Sequence, residues 1–280
     1  METTIDGVRQ AYHVAGQGPV CLVLPGGPGC HWSYMRSPEL EQHFTLVYVE
    51  PVGTGESGRL PSPSSYGIGA YVRFAAALIE RLELGPVLVL GHSYGGCVAQ
   101  QLTLDHPELV AGLILYDAPP VLDDDFFATA KAGAESIARR HPDQPDIVAA
   151  AAAFGTGLGH DDASATAYLR AITPLYFADW GERRARYEQR VEREWILYHE
   201  PSSELDSVTF DSRARLGEIT APALIVAGQD DFIAGPRWAQ VLHEGISGST
   251  LVVLPDTGHF PHIEDPAGFV DAVVGAFAKP

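Results

Sequence analysis

Val87-Leu88-Val89-Leu90-Gly91-His92-Ser93-Tyr94-Gly95-Gly96 reads as one continuous structural unit. Four apolar residues, too few for a helix, run into Gly-His-Ser-Tyr-Gly, and a helix-like segment follows. The spacing Gly-x-Ser-x-Gly fits a strand, a sharp turn and a helix, with the serine strained at the apex. Glycines two residues to either side are needed where strand and helix backbones pass too close for a Cβ. Such a turn lifts the Ser93 hydroxyl above the end of a sheet and aims the first amides of the helix at whatever lies beside it. Ser93 is therefore a candidate nucleophile, and the rest of the chain has to supply a base, an acid and an oxyanion hole.

The flanking sequence repeats the same rhythm. Residues 3–14 alternate loosely around Asp6-Gly7 and predict two short antiparallel strands. Residues 20–24 are an apolar strand that breaks into Pro25-Gly26-Gly27-Pro28-Gly29, and residues 44–49 are another, ending at Glu50-Pro51-Val52-Gly53. Val72, Ala75, Ala76, Ile79 and Leu82 fall at helical spacing before Gly85-Pro86 stops the helix. Further strands are expected at 113–116, 223–227 and 250–254, with helices after Ser93, near Trp238 and over 269–277. Strands alternating with helices, and apolar on both faces, predict an α/β fold whose mostly parallel sheet is covered on both sides.

Between residues 121 and 211 the apolar strand runs stop. The segment reads as a helical cap inserted into a core built from 1–120 and 212–280. Asp123-Asp124-Asp125 marks a helix start, and residues 149–153, all alanine, carry helix propensity. Tyr187, Glu188, Val191, Trp195, Ile196 and Tyr198 predict one further helix.

Bulk composition narrows the function. The chain has 280 residues, 46% hydrophobic and 19% charged, as in an ordinary globular protein. Its net charge of −18 argues against nucleic acid and against an anionic membrane surface, and mildly favours a cationic or amine substrate. Cys21, Cys30 and Cys97, odd in number and without metal-type spacing, suggest reduced thiols in the cytoplasm. The start has no cationic and apolar leader pattern, and no run of 18 apolar residues exists.

Catalytic groups of α/β sheets lie on loops at the carboxyl ends of strands. The loop after 223–227 offers Asp230 and Asp231, and the loop after 250–254 offers His259 behind Gly258. Ser93, Asp231 and His259 thus form the candidate triad, with Asp231 preferred for its place three residues past Gly228. Asp230 and Asp117 stay open as alternatives for the acid. His92 and His262 read as structural neighbours. The oxyanion donors are expected from the Tyr94 amide and from the Gly26-Gly27-Pro28-Gly29 loop, with Gly27 the choice.

With these residues assigned, the chain resembles the α/β-hydrolase superfamily, and within it the proline iminopeptidase-like serine hydrolases. The likeness covers about 1–120 and 212–280. Pro25-Gly26-Gly27-Pro28-Gly29 is similar to the family's oxyanion loop, and Gly53-Thr54-Gly55-Glu56-Ser57 to its Gly-x-Gly-x-Ser turn. Gly91–Gly96 is similar to the family elbow, and the run from Gly258 to Pro266 to its histidine motif. The resemblance implies an α/β-hydrolase fold, triad hydrolysis through an acyl-enzyme, a small-molecule substrate, no metal and no cofactor. Two departures stand out: Pro25 replaces the family's His, and Glu50-Pro51-Val52 replaces Asp-x-Arg. Family aminopeptidases bind a free amine through cap carboxylates, for which Glu194, Glu200 and Glu204 are candidates. Gly26, Trp32 and Trp195 complete the candidate substrate contacts. Hydrolysis of an N-terminal amino-acid amide is the first expectation, and a small ester or lactone the alternative. A ligand-binding protein without turnover and an acyl-transfer enzyme are the rival classes.

Overall fold

The computed structural model describes residues 1–181, 195–199 and 209–278. Ten strands are described: β1 Glu2–Ile5, β2 Val8–Gly16, β3 Val20–Leu24, β4 Thr45–Val49, β5 Val87–His92, β6 Val110–Tyr116, β7 Val121–Leu122, β8 Phe210–Asp211, β9 Ala223–Gly228 and β10 Thr250–Leu254. Eight of them form one sheet in the order β1-β2-β4-β3-β5-β6-β9-β10. In this sheet β1 pairs β2 and β2 pairs β4 antiparallel, and the remaining pairings, β4-β3-β5-β6-β9-β10, are all parallel.

The apolar runs are explained by where alternate residues go. Leu22, Leu24, Val87, Val89, Leu113, Leu115 and Ile225 face one hydrophobic cluster. Helices α1 (Ile68–Arg81), α2 (Tyr94–Asp105) and α6 (Pro236–Gly245) cover that face. Cys21, Val23, Leu88, Leu90, Ile114, Tyr116 and Val226 face the second cluster, where α7 (Pro266–Phe277) packs through Phe269 and Val273. A strand buried on both sides has no polar face, so period-2 alternation of polarity is absent.

The segment between β6 and β9 carries α3 (Asp124–Arg140), α4 (Pro145–Ala153) and α5 (Asp162–Ile172). Asp123 caps α3 by accepting the Phe126 amide at 2.9 Å, as the acidic run predicts. A two-stranded ribbon that the sequence does not announce closes the neck of this segment, β7 pairing antiparallel with β8. Two-residue strands are too short to leave a periodic signal. The helix expected through Tyr187, Glu188, Val191, Trp195, Ile196 and Tyr198 is corrected at its end, while Tyr187, Glu188 and Val191 lie outside the described residues. Residues 195–198 are not helical: Leu197 bridges Cys30, with His31 donating to the Ile196 carbonyl at 2.9 Å and Tyr198 donating to Gly29 at 2.8 Å. Pairing with the glycine loop satisfies these backbone groups in place of a helix.

Candidate active site

Parallel strands β3, β5, β6, β9 and β10 end at one edge of the sheet, and their following loops converge there. Ser93 lies between β5 and α2 at φ 53° and ψ −122°, the strained apex anticipated from its flanking glycines. The tightness is measurable. A Cβ on Gly95 would sit 2.3 Å from the Leu24 carbonyl oxygen and 2.4 Å from that of Pro25.

His259, 4% exposed, follows β10. Its Nδ1 donates to Asp231 Oδ2 at 2.9 Å. Asp231 is buried and also accepts the Ile233 amide at Oδ1 (2.9 Å) and the Ala234 amide at Oδ2 (3.2 Å). A proton on Nδ1 leaves Nε2 as the nitrogen with the lone pair. Asp230 is exposed, so burial separates the two adjacent acids. Asp117 is buried beside Asp231, with one oxygen from each and a His259 ring nitrogen within 4.8 Å of one another. Because Nδ1 carries its proton toward Asp231, this group offers an ion no imidazole lone pair there.

The loop carrying His259 is held from three sides. Its amide donates to the Tyr176 carbonyl at 2.7 Å, and its ring stacks on Tyr176 at 5.1 Å and 26°. Its carbonyl accepts from His92 Nε2 at 3.0 Å. Glu264, buried, accepts the Gly258 amide at 2.7 Å and the Ala178 amide at 2.9 Å. His92 in turn meets the Tyr34 hydroxyl through Nδ1 at 2.6 Å, and that hydroxyl accepts the Gly26 amide at 2.6 Å. Burial first, then the neighbouring His259 and His262, hold the His92 ring well below the ordinary histidine value, so it is neutral. A neutral ring with Nε2–H toward a carbonyl must accept at Nδ1, so Tyr34 donates to it. His262 is likewise buried, between the Tyr34 carbonyl and the Tyr116 hydroxyl. Both rings thus have protein partners at both nitrogens.

A cavity of about 110 Å3 opens over Ser93 and His259. Gly26, Gly27 and Pro28 form one wall. Leu158, Leu169, Ile172, Trp195, Leu197 and Phe260 supply an apolar roof and sides. No Asp, Glu, Lys or Arg lines it among the described residues. The Tyr168 hydroxyl at its edge already accepts the Gly155 amide at 3.1 Å. Burial pushes the Cys30 thiol up to about 12, which leaves it an inert wall group.

Of the candidate substrate contacts, Gly26 and Trp195 line the cavity. Trp32 does not: it stacks on His13 at 3.9 Å and 17°, because β2 carries that histidine alongside β4. Glu194, Glu200 and Glu204 lie outside the described residues. The Glu50 departure finds a local explanation: its buried carboxylate accepts the Glu56 amide at 3.0 Å and approaches His13 and His31 at 3.4 and 3.8 Å. Gly27, at φ 129°, borders the cavity, and Tyr94 opens α2, where the first amides have no intrahelical acceptor. Tyr34, Tyr176 and Glu264 are the contributors that sequence reading missed. Only their long-range contacts reveal them.

Residues 19–266 match the alpha/beta hydrolase fold family. The chain belongs to that family, and it is a hydrolase. It is 30% identical to an uncharacterized protein of Mycobacterium tuberculosis, over 96% of this chain and 78% of that one. Among solved structures it resembles the enol-lactonase from Burkholderia xenovorans, with a TM-score of 0.76, 20% identity and full coverage of both chains. A proline iminopeptidase-related protein from Thermus thermophilus is about as similar in fold, with a TM-score of 0.75 and 23% identity over 99% of this chain and 97% of that one. Several curated relatives with an assigned name are hydrolases. No helix among the described residues is long and apolar enough to cross a membrane.

Proposed function

We propose that the protein is a serine hydrolase of small uncharged esters or lactones. Ser93 attacks the substrate carbonyl while His259 Nε2 takes its proton. Asp231 holds the ring and stabilises the imidazolium that forms. The Gly27 and Tyr94 amides receive the developing oxyanion. His259 then protonates the leaving alkoxide, and water attacks the acyl-enzyme by the same route in reverse. Helices α3, α4 and α5, within the segment 121–211, act as the cap that keeps the acyl group dry.

The observation that carries this reading is the wall of the cavity: apolar and aromatic, with no charged side chain among the described residues. An aminopeptidase has to receive a substrate ammonium, and an unpaired charge in such a site is expensive by several kcal/mol. The aminopeptidase reading therefore depends on Glu194, Glu200 or Glu204 reaching the cavity. Similar proteins named enol-lactonase and putative carbamate hydrolase support an ester-like carbonyl as the reacting centre.

The test compares kcat/KM for a short-chain aryl ester with that for proline arylamide. The ester should lead by about 100-fold or more, the discrimination expected when one substrate leaves a buried charge unpaired. A proline arylamide that is turned over as well as the ester refutes the assignment.

A further inference from the structure

Asp117 follows β6 directly, 1% exposed and in a left-handed conformation at φ 44°. Its Oδ1 accepts the Gly228 amide at 2.8 Å, at the root of the loop that carries Asp231. Its Oδ2 is buried, accepts from no N–H or O–H of the described residues, and lies against the Asp231 carboxylate. Asp231 differs, since amides of Ile233 and Ala234 and the His259 ring all donate to it. Two carboxylates this close, both buried from solvent, do not both ionise. Asp117, whose Oδ2 receives no donor, is the one placed to hold a proton. Burial first, then the charge of Asp231, push the Asp117 carboxyl well above its ordinary 3.8, and the charge of Glu264 acts in the same direction. The other titratable groups facing it are His259 and the Tyr116 hydroxyl.

We propose that Asp117 is a positioning residue of the triad: a neutral carboxylic acid that turns its Oδ2 hydroxyl toward the Asp231 carboxylate while its Oδ1 pins the Asp231 loop through Gly228. The proton it keeps leaves Asp231 as the single anion behind His259 and draws charge from that anion, which makes His259 a weaker base. The inference rests on the triad assigned above.

Asp117→Ala removes both bonds. The aryl-ester kcat/KM should fall about tenfold or more as the loop loosens. The acidic limb of its pH profile, which reports the base of the free enzyme, should move to higher pH. Asp117→Asn keeps an acceptor for Gly228, a donor for Asp231 and the charge of a neutral acid, so it should return the limb to the parent position. Were Asp117 the anion, deleting its charge at ~5 Å would lower the limb by about 0.6 pH unit even at the dielectric of water.

Two readouts need no turnover. The parent should show the deuterium-sensitive C=O stretch of a protonated carboxyl, absent from Asp117→Asn. The folding constant of Asp117→Asn relative to the parent should rise about tenfold per pH unit above ~4, because only the parent's unfolded state gains by ionising. A lowered limb in Asp117→Asn, or an unchanged infrared spectrum, overturns the proposal. An infrared band without esterase activity would uphold the neutral Asp117 and sink the catalytic reading instead.

Discussion

Tyr34→Phe removes one oxygen atom and with it the link between the glycine loop and the His259 loop. The Tyr34 hydroxyl accepts the Gly26 amide and donates to His92 Nδ1, each at 2.6 Å, and Tyr34 is 2% exposed. The variant strands one donor and one acceptor where burial keeps solvent from replacing the lost partner. Each stranded group costs about 1–3 kcal/mol, partly offset because phenylalanine has no hydroxyl to desolvate. About 3 kcal/mol of stability should be lost, which is on the order of 150-fold in the folding constant. Urea unfolding at neutral pH measures this, with an unchanged slope confirming that the native state is otherwise intact. Tyr168→Phe is the control, because its hydroxyl accepts an amide at the exposed Gly155, where water substitutes. That variant should lose less than about 1 kcal/mol. A loss under about 0.5 kcal/mol in Tyr34→Phe would mean that the buried chain of bonds does not contribute as argued.

Two further outcomes follow from neighbouring groups. Glu264→Gln leaves a single acceptor for the Gly258 and Ala178 amides and turns an NH2 group toward one of them. It should cost about 1–3 kcal/mol in urea unfolding and lower kcat more than it raises KM, since the bond it weakens anchors the His259 loop. The second concerns pH. Unfolded, the His92 ring takes up a proton below its ordinary 6.5, whereas folded it does so only at much lower pH. Stability from this residue is therefore fully present above 6.5 and is lost as pH falls from there toward the folded value. His92→Gln lacks that titration, so its stability relative to the parent should improve by about 1.4 kcal/mol per unit as pH is lowered from ~6.5. Parallel stability curves for the two proteins between about pH 6.5 and 5 would show that the ring is not held neutral.

Local chemistry made much of this site legible beforehand. A Gly-x-Ser-x-Gly turn between an apolar run and a helix has few structural solutions, and the structure has Ser93 at the strained apex. Apolar runs ending in loops with Asp and His give the order of candidate groups because a parallel sheet exposes those loops at one edge. Trp195 was legible as a cavity residue but not in its conformation, since its segment pairs with the Cys30 loop rather than coiling as its spacing suggests.

Sequence alone determined that the inner strands would be buried on both faces, though not that the equally apolar β10 would lie at the sheet edge with Val253 exposed, and it determined where Ser93 would be strained and the order of the Ser, Asp and His candidates. Those features depend on steric and hydrophobic constraints acting over short stretches of chain. Tertiary structure alone decided that Asp231 rather than Asp230 meets His259, that Trp32 stacks on His13 outside the cavity, and that Asp117 lies buried beside the pair. It also decided that Tyr34, 58 residues from His92, joins the glycine loop through His92 to the carbonyl of His259, 167 residues beyond His92. Burial and hydrogen-bond partnership across such separations depend on which surfaces the sheet brings together, and no short-range pattern records that.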